Sequence, residues 1–250
     1  MNLTAAEGAS LVESVLPSAK AHLNVDVLFC PSFTVLHPIR DLLKGPNLFL
    51  GGQDLFWETK GAFTGEVSAP MLLDSGCSFC IVGHSERRGR FGKQLEDERE
   101  TCYFSDSDFV VNKKIRALLF ASITPILCIG ETANEREAGK TESVVSQQFK
   151  SAFIGIDNNE ISEIAIAYEP VWAIGTGNSC DADEANRVCG IIRSLLNDFG
   201  ISDRARILYG GSVTANNCRE LFSTRNINGA LVGGASLKID EFSKIIAAAS

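Results

Sequence analysis

Apolar residues in this chain fall into short unbroken runs, separated by longer stretches in which they recur every three or four positions. Seven runs stand out: VDVLFC, NLFLGG, SFCIVG, TPILCIG, IAIAY, ARILYGG and GALVGG. Most are continuously apolar, the pattern of strands covered on both faces. Between them, NKKIRALLFAS, ESVVSQQFKSAF and ADEANRVCGIIRSLLNDFG carry helical spacing. Thr4 with Glu7 and Asp181 with Glu184 are spaced as capping boxes, so a helix is predicted to begin at each. Strand then helix, repeated, predicts a parallel sheet flanked by helices. A closed barrel and an open doubly wound sheet both satisfy this pattern. Such folds usually open on a strand, whereas this chain opens on a helix.

The length of 250 residues is ample for one large core, and no Pro/Ser-rich linker interrupts it, so a single domain over residues 1–250 is expected. One segment stands apart. Residues 93–108 are polar and strongly acidic, which predicts a solvated surface insertion. The net charge of −8, with no basic block longer than Arg87-Arg88 or Lys113-Lys114, argues against a nucleic-acid partner. No apolar run approaches a membrane span, and Met1 is followed by neither a basic nor a hydrophobic leader, so no membrane partner and a cytoplasmic location are expected. Cys77 and Cys80 form one C-x-x-C without a second pair at zinc spacing. Positions three apart in a strand face opposite ways, so the two are expected to diverge as buried apolar side chains, with no metal site.

The chemistry collects at strand ends, where parallel α/β folds place their active groups. His84 follows SFCIVG, while His22 and His37 lie in helix-like stretches. Glu169 ends the almost wholly apolar IAIAY, and Pro170 keeps it extended. A carboxylate beside an apolar core is suited to be a general base. Gly175-Thr176-Gly177 suggests a moving segment, and its Gly-x-Gly is too short for a nucleotide signature. The glycine pairs of ILYGGSV and ALVGGASL close the last two strands, where exposed backbone N–H groups can cradle an anion. Histidine, glutamate, lid and cradle together suggest proton abstraction next to a carbonyl in a small phosphorylated substrate.

GAFTGE, GHSERR, TPILCIGE, AYEPVWAIGTG, YGGSV and GALVGGASLK resemble, in this order along the chain, the signature segments of the triosephosphate isomerase family, and the likeness spans nearly the whole chain. The resemblance implies a (β/α)8 TIM barrel acting in glycolysis and gluconeogenesis. It interconverts glyceraldehyde 3-phosphate and dihydroxyacetone phosphate through an enediol(ate), without metal or organic cofactor. It implies Glu169 as the base, His84 as a neutral electrophile and Glu86 as a carboxylate behind the histidine. Pro170, Val171, Trp172, Ala173, Ile174, Gly175, Thr176 and Gly177 correspond to the lid, and Gly175, Ser212, Gly233 and Gly234 to the phosphate contacts. Thr64 corresponds to the tip of a loop that enters a partner subunit, implying a homodimer.

Three departures qualify the likeness. Asn178-Ser179 stands where the family usually has Lys-Thr, and the segment after RRGRFG, which follows the family's fourth strand, is longer than usual. The family's first strand ends in Gly-Asn-Trp-Lys-Met-Asn, of which this sequence has only Met1-Asn2. Either the start is set late and a longer protein carries the strand with its lysine, or a barrel with seven strands, two unpaired edges and weakened catalysis is expected. The alternative expectation is a non-catalytic phosphate-ligand binder on the same barrel.

Overall fold

The computed structural model describes residues 1–91, 105–161, 163–176 and 180–250. The chain begins with α1 (Ala5–Ala21), started by a closed capping box in which Thr4 and Glu7 satisfy each other's backbone N–H groups. Then follow β1 (Val27–Phe29), α2 (Phe33–Arg40), β2 (Leu48–Gly52), α3 (Ala69–Asp74) and β3 (Phe79–Val82). After these come α4 (Asp108–Phe120), β4 (Thr124–Ile129), α5 (Ala133–Glu137), α6 (Thr141–Ala152) and β5 (Ile164–Tyr168). The chain ends with α7 (Ala182–Phe199), β6 (Ala205–Tyr209), α8 (Cys218–Phe222), β7 (Gly229–Ala230) and α9 (Ile239–Ala248).

All seven strands pair in parallel, in the order β1-β2-β3-β4-β5-β6-β7, as one curled sheet. Each lies within one of the seven apolar runs. The central strands are the most covered: every residue of β5 is buried, as is every residue of β4 after Thr124. The sheet is open between β7 and β1, leaving the two unpaired edges that were expected, and it curls into a half-barrel.

Two apolar layers hold it. Ile81, Ile126, Cys128, Ala165 and Ala167 fill the concave side. On the convex side a larger core joins helices to strands, with Val12, Val35, Leu118, Phe149, Ile192 and Leu221 among its members.

Several local expectations change in three dimensions. At α7 only half of the second capping box forms. The Asp181 side chain accepts from the Glu184 N–H at 2.8 Å, but the Glu184 carboxylate turns to Arg187 at 2.7 Å and Arg136 at 2.5 Å. Those partners, led by the Arg187 hydrogen bond, hold Glu184 down at about 2. Cys77 and Cys80 are both buried free thiols, yet Cys77 precedes β3 and both join the same core, so strand alternation does not separate them. Of the acidic stretch, residues 93–104 lie outside the described residues. Its described end is not loosely solvated: Asp106 is bound by Lys114 at 2.5 Å, and Asp108 by Arg88 at 2.7 Å. Among the described residues, no helix is long and apolar enough to cross a membrane.

Candidate active site

β3 and β5 are separated in the sheet only by β4, so their carboxyl ends lie close together. β3 leads into Gly83, whose φ of +68° turns the chain sharply; a Cβ there would sit 2.8 Å from Arg88 Nη2. Arg88 braces this turn, its Nε donating to the Gly83 carbonyl at 2.7 Å. The turn delivers His84. β5 delivers Glu169, whose N–H donates to the Ile129 carbonyl at 2.8 Å. Gly130 makes that approach possible, because a Cβ on it would lie 1.7 Å from the Glu169 carbonyl oxygen.

The two side chains meet: His84 Nε2 lies 2.9 Å from Glu169 Oε1. Glu169 is only 1% exposed. Its second oxygen, Oε2, accepts the Ser85 N–H at 2.9 Å, and the Ser85 hydroxyl reaches Oε1 at 3.3 Å. On the other side of the imidazole, the Glu86 N–H donates to Nδ1 at 3.3 Å. With Nδ1 accepting, the ring proton belongs on Nε2, facing the carboxylate. The Glu86 carboxylate is largely exposed and stands 3.9 Å from Nδ1.

Burial lowers the His84 pKa. The hydrogen bond and charge of Glu169, with the charge of Glu86, outweigh that effect, so the imidazole is shifted upward. The carboxylates therefore favour an imidazolium, while the N–H at Nδ1 favours the neutral ring. The balance depends on Glu169 remaining in place.

His84 and Glu86 line a cleft of about 1560 Å³ along with Gly175, Ser212, Gly233 and Gly234. A Cβ on Gly175, Gly233 or Gly234 would meet nothing within 4 Å, so these backbones face open space. Glu169 does not line the cleft; it sits behind His84 and Ser85.

The lid segment starts at Pro170 with a short turn, Val171–Ala173. Trp172 Nε1 donates to Glu131 Oε1 at 2.9 Å, and the Arg136 guanidinium lies 4.3 Å from the indole centroid. Ile174 and Gly175 border the cleft, Thr176 Oγ1 donates to the Trp172 carbonyl at 2.9 Å, and Ser212 Oγ donates to the Ala173 carbonyl at 3.2 Å. Gly177 and the Asn178-Ser179 departure lie outside the described residues. Glu131 is fully buried. Burial raises its pKa, against hydrogen bonds from Trp172 and Tyr168 and the charge of Arg136.

A sequence model described as triosephosphate isomerase matches residues 1–249. The chain belongs to the triosephosphate isomerase family. It is 44% identical over 248 residues to the triosephosphate isomerase of Endomicrobium trichonymphae, covering 98% of this chain and 94% of that protein. It is 42% identical over 249 residues to that of Dictyoglomus thermophilum, covering 98% and 95%, and 44% identical to that of Carboxydothermus hydrogenoformans, covering 98% and 94%.

Within this triosephosphate isomerase framework, sequence reasoning missed three supporting residues. Ser85 holds the glutamate, Gly130 lets its backbone approach, and Glu131 holds Trp172. The first lay in plain view beside His84; the other two follow TPILCI, the strand between those bearing the histidine and the glutamate. Thr64 lies at an exposed loop whose Phe63 ring stacks 4.5 Å from Phe56, itself 4.1 Å from Trp57.

Proposed function

We propose that this chain catalyses the interconversion of glyceraldehyde 3-phosphate and dihydroxyacetone phosphate, the activity named for its relatives. The observation that carries this reading is the 2.9 Å contact between His84 Nε2 and Glu169 Oε1 beside the glycine-lined cleft. In the reaction, Glu169 leaves Ser85 and takes the proton from the carbon next to the substrate carbonyl. His84 Nε2–H polarises the carbonyl oxygen, giving an enediol(ate), and the proton returns from Glu169 to the neighbouring carbon. Departure of Glu169 also removes the main group that raises the His84 pKa, leaving burial, opposed by the charge of Glu86, to favour the neutral imidazole. Gly175, Ser212, Gly233 and Gly234 hold the phosphate, and residues 170–177 close over it to exclude water.

Further parts of the reading follow from the resemblance. The chain is one domain, works in the cytoplasm in glycolysis and gluconeogenesis, and pairs as a homodimer through the Thr64 loop with its exposed aromatic group. Glu86 tunes the histidine from behind.

Initial rates of glyceraldehyde 3-phosphate isomerisation test the proposal. The chain is compared with its Glu169→Gln variant. The expected result is turnover by the chain, with the variant slower by roughly 10²–10⁴ for want of the general base. Absence of turnover in both, with retained binding of a phosphorylated enediolate mimic, overturns the enzyme reading in favour of a phosphate-ligand binder.

A further inference from the structure

β4 runs on after its neighbour β3 has left it. The ladder between them ends at Val82 and Leu127, and β3 turns away at Gly83. The chain of β4 continues through Gly130 and Glu131 beside the end of β5. There the Ile129 carbonyl accepts the Glu169 N–H at 2.8 Å, and the Glu131 carbonyl accepts the Val171 N–H at 3.1 Å. Successive residues of a parallel strand turn their backbone groups to opposite neighbours, so the Gly130 groups face the side that β3 has vacated. Gly130 is buried, and its N–H and C=O need partners that no strand supplies.

Gln148 of α6 supplies both. It is 4% exposed; its Oε1 accepts the Gly130 N–H at 2.8 Å, and its Nε2 donates to the Gly130 carbonyl at 3.3 Å. A side-chain amide carries the donor and the acceptor of a peptide, so Gln148 stands in for one residue of a neighbouring strand. The same glycine is pressed against the base: a Cβ on Gly130 would lie 1.7 Å from the Glu169 carbonyl oxygen and 3.2 Å from its Cα. Gln148, Gly130 and Glu169 thus form a line from the helix layer to the site, although Gln148 does not itself line the cleft.

We propose that Gln148 is a positioning residue for the isomerisation: by fixing the Gly130 peptide, it sets the backbone of Glu169, and of Val171 at the start of the lid, in register with His84. The proposal rests on the isomerase reading. A displacement of about 1 Å in a reacting group costs about 10²-fold in rate, so slack at Gly130 appears in kcat. Ser212, Gly233 and Gly234 follow β6 and β7, away from this line, so KM is spared.

The test uses variants of the full chain. Gln148→Met keeps the length and bulk of the side chain and removes both polar groups. Its kcat for glyceraldehyde 3-phosphate is expected to fall by about ten- to a hundredfold, with KM within about threefold. Gln148→Glu restores both bonds when its carboxyl is neutral. Burial, with Asp106, Asp108 and Glu135 around the adjoining cavity, favours that form against Arg88 and Arg90. At pH 5.5 its kcat is expected to stay within about threefold of that of the unaltered chain. Without substrate, NMR of the His84 ring nitrogens reads the same geometry. The His84 midpoint is expected to be lower in Gln148→Met, because Glu169 is the main group that raises it and burial, opposed by Glu86, then prevails. Circular dichroism checks folding. Gln148→Ala, whose space water can enter from the adjoining cavity of about 250 Å³, takes the place of Gln148→Met if that variant does not fold. An unchanged His84 midpoint overturns the proposal, as does a loss confined to KM or an equal loss of kcat in Gln148→Glu. Absence of turnover in the unaltered chain defeats the isomerase reading alone, and the His84 midpoint then decides whether Gln148 sets Glu169.

Discussion

The backbone N–H of Ser85 donates to Oε2 of Glu169 at 2.9 Å, so the residue beside the histidine holds the glutamate away from the cleft. The Ser85 hydroxyl adds only a longer contact, 3.3 Å to Oε1. Ser85→Ala keeps the short bond and loses the long one, whose net worth is about 1 kcal/mol or less. Its kcat/KM for glyceraldehyde 3-phosphate is expected to change by less than about tenfold. Glu169→Gln removes the base itself and is expected to lower kcat/KM by roughly 10²–10⁴. Equal losses in the two variants exclude this division of labour.

His84 gives the fold a pH dependence. Its pKa in the folded protein is raised, so the folded state binds a proton more tightly than the unfolded one. That stabilisation is complete below the unfolded value of about 6.5 and is lost as pH rises through the folded value. His84→Gln lacks it. Urea unfolding midpoints of the two proteins are therefore expected to be furthest apart at pH 5.5 and to converge towards pH 8.5. A constant difference across that range disproves the coupling to Glu169 and Glu86.

The Trp172–Glu131 contact predicts a different pH signature. Trp172→Phe removes the indole donor at 2.9 Å but keeps a ring beneath the Arg136 guanidinium. The buried carboxylate then depends on Tyr168 OH, 3.2 Å away, and on the Arg136 charge. A loss of about 1–3 kcal/mol of stability at pH 7 is expected. Glu131 has a raised folded pKa, so its ionisation already weakens the fold as pH rises from the unfolded value through the folded one. Losing a donor to the anion enlarges this effect. The deficit should be greater at pH 7 than at pH 5, as read by denaturant unfolding, and a deficit that grows at pH 5 contradicts the account.

What could be read from the sequence follows physical range. β5 was visible to the residue because both its faces are buried, which leaves an unbroken apolar run. β7 was not: GALVGG looked like a full strand, but only Gly229–Ala230 pairs, since the strand has a neighbour on one side alone. Thr4 and Glu7 closed their cap because, among the described residues, each bonds only the other's groups through its side chain. Glu184 left its own for Arg187, three residues on, and for Arg136, 48 residues away and beyond any local pattern. His84 and Glu169 declared themselves by ending apolar strands. Ser85 did not, because its role exists only where β3 and β5 bring together residues 84 positions apart.

Lys114 carries the strongest stability prediction. It is 2% exposed, and its ammonium donates to Asp54 at 2.7 Å and Asp106 at 2.5 Å; Arg87 adds a second contact to Asp54 at 2.7 Å. Burial raises the Asp54 pKa while Lys114 and Arg87 pull it down, so the carboxylate relies on these cations to remain charged. The group ties the loop after β2 and the segment carrying His84 to α4. Lys114→Met keeps the aliphatic bulk and removes the charge, leaving two carboxylates facing each other with less compensation. Breaking one partner out of a buried ionic group costs about 3–5 kcal/mol. The urea midpoint of Lys114→Met is expected to fall accordingly. Adding Asp54→Asn should restore a substantial part of the loss, because the repulsion and the stranded charge go together. If the second substitution only deepens the loss, then packing of the lysine stem, and not its charge, is what α4 contributes beneath His84.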